Sequence, residues 1–66
     1  MDLTTIHYKL TMKEYSHNKW THYISDFNAW CFENCIGYFY FALTGLTIRC
    51  DFENIEEAMA FKLRWF

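Results

Sequence analysis

Two short apolar runs separated by a Thr-Gly pair dominate the middle of this sequence. Residues 38–43 and 46–52 are rich in aromatic and β-branched side chains, and Thr44-Gly45 between them has the form of a two-residue hairpin turn whose glycine accepts positive φ. Counting outward from that turn pairs Leu43 with Leu46, Phe41 with Ile48 and Phe39 with Cys50 on one side. On the other side Ala42 faces Thr47, Tyr40 faces Arg49 and Tyr38 faces Asp51. One face is apolar and belongs to a core; the other is mixed and belongs outside.

The flanking segments supply what this hairpin packs against. Residues 6–12 alternate, with Ile6, Tyr8, Leu10 and Met12 on one side and His7, Lys9 and Thr11 on the other, which predicts a half-buried strand. The period then changes. Trp20, Tyr23, Ile24, Phe27, Trp30, Cys31 and Cys35 fall within an arc of about 140° at helical spacing, which predicts a helix over 17–35. Ser16 suits its N-cap, Tyr15 and Trp20 a hydrophobic staple, and Gly37 the position just past its end, while His22, Ser25, Asp26, Ala29 and Glu33 point to solvent. After the hairpin, Asn54-Ile-Glu-Glu reads as an N-cap with a glutamate at N3, opening a short helix over 55–60. Phe61, Leu63 and Trp65 then alternate with Lys62 and Arg64, a strand-like pattern.

The predicted order is therefore β, α, β, β, α, β: a small two-layer α+β protein of the split βαβ, or ferredoxin-like, kind, with an antiparallel sheet covered by two helices on one face. Nine residues separate Phe52 from Lys62, which is tight for a helical crossover between strands. If that crossover cannot be made, the chain is βαββα with a longer terminal helix.

At 66 residues the whole chain, 1–66, reads as one domain, and a domain of this size buries only about 60% of the surface its unfolded chain exposes. No disulfide framework or metal motif is there to reinforce it, so a core dense in large side chains or a partner must do so. With 23% aromatic and 53% hydrophobic residues and no proline, the chain has the apolar surface to fold. Its first residues lack the basic and apolar regions of a secretory signal, and three cysteines, an odd number, read as reduced thiols, so a cytoplasmic location is expected. The longest uncharged run, 35–48, is too short to span a bilayer and contains a turn, so no membrane partner is expected. A net charge of −2 is too weak to imply DNA mimicry.

Helices on one sheet face leave the other open, carrying His7, Lys9 and Thr11, Tyr38 and Tyr40, Thr47, Arg49 and Asp51, and Lys62, Arg64 and Phe66. Four cations against Asp51 make this face basic in an acidic chain. Tyr38, Tyr40, Arg49, Lys9, Lys62, Arg64 and Phe66 are the candidate binding residues. Tyrosine and arginine are favoured anchors of protein interfaces. Aromatic rings among cations also suit single-stranded nucleic acid, because bases stack on rings while Lys and Arg meet phosphates, although the glycine-and-aromatic signature of the RNA-recognition module is absent. The plainest alternative is a solvated face with a Tyr40–Arg49 cation–π pair.

Other chemistry finds less support. Cys31 and Cys35 lie one helical turn apart and Cys50 could join them on a metal, but His22 lies nearly opposite and His17 is about 21 Å along the helix axis from Cys31, so a fourth ligand fails and no cofactor or metal is expected. All three thiols read as small core residues. Inward cysteines and outward His7 and His22 do not make a nucleophile–base pair, Glu56 and Glu57 suit a helix start, and two glycines make no phosphate loop. The chain is not expected to be an enzyme.

The last stretch, 51–66, with its acidic helix start followed by Ala58-Met59-Ala60-Phe61-Lys62-Leu63-Arg64-Trp65, resembles the ending of many short, uncharacterised proteins of tailed bacteriophages, which close on Ala-x-x-Phe-Lys-Leu-x-Trp. Residues 26–37 resemble the helix ending of the same proteins, so the likeness covers about half of the chain. The resemblance implies a viral origin and a role either in host takeover or as a minor virion component. It carries no site residues across, and Phe66 after the tryptophan departs from the usual ending. The resulting expectation is a phage-type protein that binds a host or viral protein through its open sheet face or an edge strand, with a homodimer burying Tyr38, Tyr40 and Phe66 as a further means of stabilisation. Single-stranded nucleic-acid binding through the same face is the competing expectation.

Overall fold

The hairpin forms, with its turn centred one residue further along than the Thr-Gly pair suggests. In the computed structural model, which describes residues 2–66, strand β2 (Phe39–Thr44) pairs with β3 (Thr47–Phe52), and Thr44 lies opposite Thr47. Gly45 and Leu46 are thus the two turn residues. Gly45 has φ +61 while Leu46 is not among the positive-φ residues, the requirement of a turn with glycine first, which Thr44-Gly45 would not meet. Phe41 consequently faces Cys50 rather than Ile48, and Leu43 faces Ile48. The slip is by two residues, so every side chain keeps its expected face.

Strand β1 (Thr4–Lys9) pairs antiparallel with β3, giving the sheet order β1-β3-β2. It is shorter at its end than the alternation of 6–12 predicts, because Thr11-Met-Lys-Glu14 is a capping box. The Thr11 amide donates to Glu14 Oε1 at 2.9 Å and Thr11 Oγ1 accepts from the Glu14 amide at 3.1 Å. Two otherwise unpaired helix-start donors are satisfied this way, so helix α1 (Met12–Ser16) begins where a strand was expected and Met12 is exposed. Asn18, in the left-handed conformation at φ 57, then separates α1 from α2 (Lys19–Asn34). Asparagine tolerates that conformation where most residues do not. Asn18, not Ser16, is therefore the N-cap.

Helix α2 buries the expected stripe. Phe27 and Cys31 have no exposure, Trp20, Tyr23, Ile24, Trp30 and Cys35 pack around them, and His22, Ser25, Asp26, Ala29 and Glu33 are exposed. Gly37 does not close the helix, since the C-cap is Cys35 and Gly37 lacks a positive φ. Its surroundings are crowded. A Cβ there would stand 3.2 Å from Glu57 Oε1 and 3.3 Å from Glu53 Oε1.

Helix α3 runs unbroken over Ile55–Trp65, so the expected fourth strand at 61–66 does not form. The outcome follows the βαββα alternative with its longer terminal helix, to which α1 adds a turn. Asn54 caps α3 by accepting from the Glu56 amide at 2.9 Å. The relevant period is that of Ala58, Phe61 and Trp65, which put a helix face into the core, whereas Leu63 is 87% exposed. Glu57 does not reach back to its own cap but accepts from the amides of Ile36 (2.7 Å) and Gly37 (3.2 Å), tying α3 to the entry of β2.

Both long helices lie on the apolar sheet face. Phe27 is the hub, its ring 4.9 Å from Phe61, 5.0 Å from Trp65 and 5.5 Å from both Tyr8 and Phe41. Tilted and edge-to-face packing of this kind adds about 0.5–1.5 kcal/mol per pair beyond area burial, which is how so short a chain makes a core without cross-links.

Candidate binding surface

The face of the sheet away from the helices is open. Alternation along each strand brings three rows of side chains to it: Thr5, Asp51 and Tyr40; His7, Arg49 and Ala42; Lys9, Thr47 and Thr44. His7, Lys9, Thr44, Thr47 and Arg49 surround a shallow depression of about 380 Å³.

The first row is anchored. Asp51 is only 7% exposed, and both of its oxygens are engaged: Thr5 Oγ1 donates to Oδ1 at 2.8 Å and Arg49 Nε to Oδ2 at 3.2 Å. A carboxylate so far from water is tolerated because it is paired. One consequence is that part of the Arg49 charge is spent within the face. The other is that the guanidinium is oriented along the strand while the side chain stays 45% exposed.

Of the seven candidate residues, the structure keeps Lys9, Tyr40 and Arg49 together on this face and Tyr38 at its margin, just before β2. Lys62, Arg64 and Phe66 are elsewhere. They belong to α3 and its C-cap, on the opposite side of the sheet, because 61–65 stay helical. The Arg64 guanidinium lies 4.4 Å from the Trp65 ring centroid, and Phe66 meets the inward-facing Tyr8 edge-on at 5.4 Å. Thr11 is the α1 cap. The open face is thus left with Lys9 and Arg49 against Asp51, with His7 beside them. The Tyr40–Arg49 cation–π pair of the solvated-face alternative does not form, since the two-residue slip sets Tyr40 opposite Asp51 and Arg49 opposite Ala42 and His7.

Thr5 and Thr44 also lie on this face, and sequence reasoning did not select them. Beginning the first strand two residues earlier would have found Thr5, on the same parity as His7 and Lys9. Centring the turn on Gly45-Leu46 would have found Thr44.

The thiols are not disposed for chemistry. Burial raises the pKa of Cys31 and of Cys35 and pushes Cys50 up to about 12, so none offers a ready thiolate. The Cys50 thiol faces the Ile48 carbonyl at 3.6 Å. Among the described residues, no three His, Cys, Asp or Glu side chains are grouped to hold a metal ion, and no helix is long and apolar enough to cross a membrane. Comparison with protein-family models, with curated proteins and with solved structures gave no match.

Proposed function

We propose that this chain is a non-enzymatic protein-binding module whose open sheet face, centred on Tyr40 and Arg49, is the contact surface for a partner protein. The observation that carries the reading is the uncovered face itself. It is a three-stranded surface with an exposed tyrosine and an arginine already oriented by Asp51. Tyrosine offers large contact area at little entropic cost, and a pre-set arginine is ready for a carboxylate. Lys9, His7 and Arg49 around the depression favour an acidic segment of the partner. The resemblance of 51–66 to phage proteins supports a host or viral protein as that partner, in the host cytoplasm, with host takeover or a minor virion role as the setting.

Single-stranded nucleic acid is the competing occupant of this face. It is disfavoured by the departure of Lys62 and Arg64 to α3, which leaves too few cations in line to follow a phosphate backbone. The test is fluorescence anisotropy of labelled single-stranded DNA and RNA at low and moderate salt, run beside affinity capture with wild type and with the Tyr40→Ala/Arg49→Ala double variant. The protein-binding reading expects no saturable oligonucleotide binding, and capture of a defined partner by wild type but not by the folded double variant. Salt-sensitive oligonucleotide binding lost in that variant would replace the reading. Capture unaffected by the substitutions would remove the open face from it.

A further inference from the structure

We infer that a second copy of this chain docks along the free edge of β1 and the outward flank of α3, continuing the sheet across a two-fold axis. This surface is separate from the open face and does not depend on the reading given for it.

Topology marks the place. Strands β1 and β2 are both antiparallel to β3 and so run parallel to each other with β3 between them, joined through α1 and α2 as one split unit. A second split unit, running from β3 through α3 to a fourth strand, would lay that strand beside β1. Residues 61–65 remain helical instead, so β1 ends the sheet with one row of backbone groups facing no strand. Thr4–Lys9 contains no proline and no bulge to discourage pairing.

The flank of α3 on that side is apolar. Ile55, Met59, Leu63 and Phe66 are 61%, 47%, 87% and 57% exposed. At 100° per residue they share an arc of about 80°. Its direction is set by the rest of the helix, since Phe61 and Trp65, about 120–160° round the helix from the stripe's centre, pack on Phe27 of α2. The stripe therefore turns away from α2, on the helix that packs against β1 and β3 while α2 packs against β2, and Met59, Lys62, Leu63 and Phe66 line a groove of about 450 Å³ along it.

A second copy covers both features in one operation. A two-fold axis perpendicular to the sheet that pairs β1 with its counterpart antiparallel also brings the two α3 helices side by side and antiparallel. The charges agree with that arrangement. The exposed Glu56 and Lys62 flank the stripe at the start and near the end of α3, so each acidic start comes alongside the other copy's basic end. The opposite edge lacks this match. Beside β2, Phe32 and Ile36 are exposed and Phe32 meets Phe39 at 5.6 Å, but Thr21, Ser25 and Asn28 share the Phe32 side of α2, which has neither an acidic first turn nor a basic last turn.

Sedimentation equilibrium of the full chain, with hydrogen exchange of the β1 amides, tests the inference. Wild type is expected to be dimeric, with the outward-facing amides of β1 protected. Leu63→Glu should weaken association by at least about 30-fold, the effect of a central anchor, expose those amides and leave the far-ultraviolet circular dichroism unchanged. Met59→Glu is the second variant, and Phe32→Glu on the β2 side should stay dimeric. A monomeric wild type, a dimer surviving both α3 variants, or loss of the dimer in Phe32→Glu would each overturn the proposal.

Discussion

The open sheet face and the outer flank of α3 are both exposed but are organised differently. On the sheet, Thr5, Arg49 and Asp51 are joined through the buried carboxylate, and the aromatic Tyr40 stands beside polar neighbours. Along α3, Ile55, Met59 and Leu63 have no polar partner to engage them. A surface whose polar groups are already paired meets a partner with its geometry set in advance, which favours specificity. A bare apolar stripe gains from being covered by anything that fits it, and a self-complementary shape lets the chain's own copy fit. The division suggests one surface for recognition and another for assembly.

The substitution that should break the comparison most completely is Phe27→Ala, because both surfaces rest on that ring. Phe27 touches Tyr8 and Phe41 on the sheet and Phe61 and Trp65 on α3. Its removal is expected to cost about 3–5 kcal/mol, as for other buried phenylalanines. Urea denaturation followed by circular dichroism gives the value, and a loss below about 1 kcal/mol would show that the two layers are not held through this residue.

Asp51→Ala acts on the open face alone. It leaves the Thr5 hydroxyl and Arg49 without their shared acceptor, at an expected cost of about 1–3 kcal/mol. Self-association should be unchanged. Sedimentation and urea denaturation on one sample check both halves, and a weakened dimer would mean that the two surfaces are coupled through β3.

Why one surface was easier to read than the other follows from their periods. Strand alternation has a period of two, so a hairpin register wrong by two residues still assigns every face, and Lys9, Tyr40 and Arg49 were placed together although their partners were not. At the chain's end, Phe61, Leu63 and Trp65 satisfy a period of two while Ala58, Phe61 and Trp65 satisfy the helical one. Only the position of Phe27 and Phe52 around Phe61 decides between them, and that is a tertiary fact. Lys62, Arg64 and Phe66 were misplaced for that reason. The boundary at Thr11 was different: its capping box lies in the sequence, but the alternation of Leu10 and Met12 masked it.

Smaller in its effect on stability is a reciprocal pair of substitutions. Tyr40→Ala and Leu63→Glu alter exposed positions that carry no ion pair, and each is expected to shift folding stability by no more than about 1 kcal/mol. The first should abolish partner capture and leave the dimer, and the second should do the reverse. Loss of both properties in either variant would merge the two surfaces into one.

The gentlest probe is acid, and it reaches α3 from beneath. Glu14 accepts from the Thr11 amide in the cap, and the Tyr23 hydroxyl donates to its other oxygen. First the Thr11 amide and then the Tyr23 hydroxyl hold its pKa below the ordinary 4.5. A carboxyl whose folded pKa is depressed contributes stability above its unfolded value and loses it as pH falls through the folded one. The contribution should therefore be constant above about pH 4.5 and decline below it. Glu14→Gln keeps an acceptor without the charge, so the stability gap between wild type and this variant should close over the same range. Tyr23 lies 5.2 Å from Tyr8, on which Phe66 rests, whereas Asp51 and Arg49 lie across the sheet. Loosening the α1 cap should accordingly raise hydrogen exchange near Phe66 before it raises exchange in β3. Equal acceleration at both would show that acid acts through general charge repulsion and not through the cap.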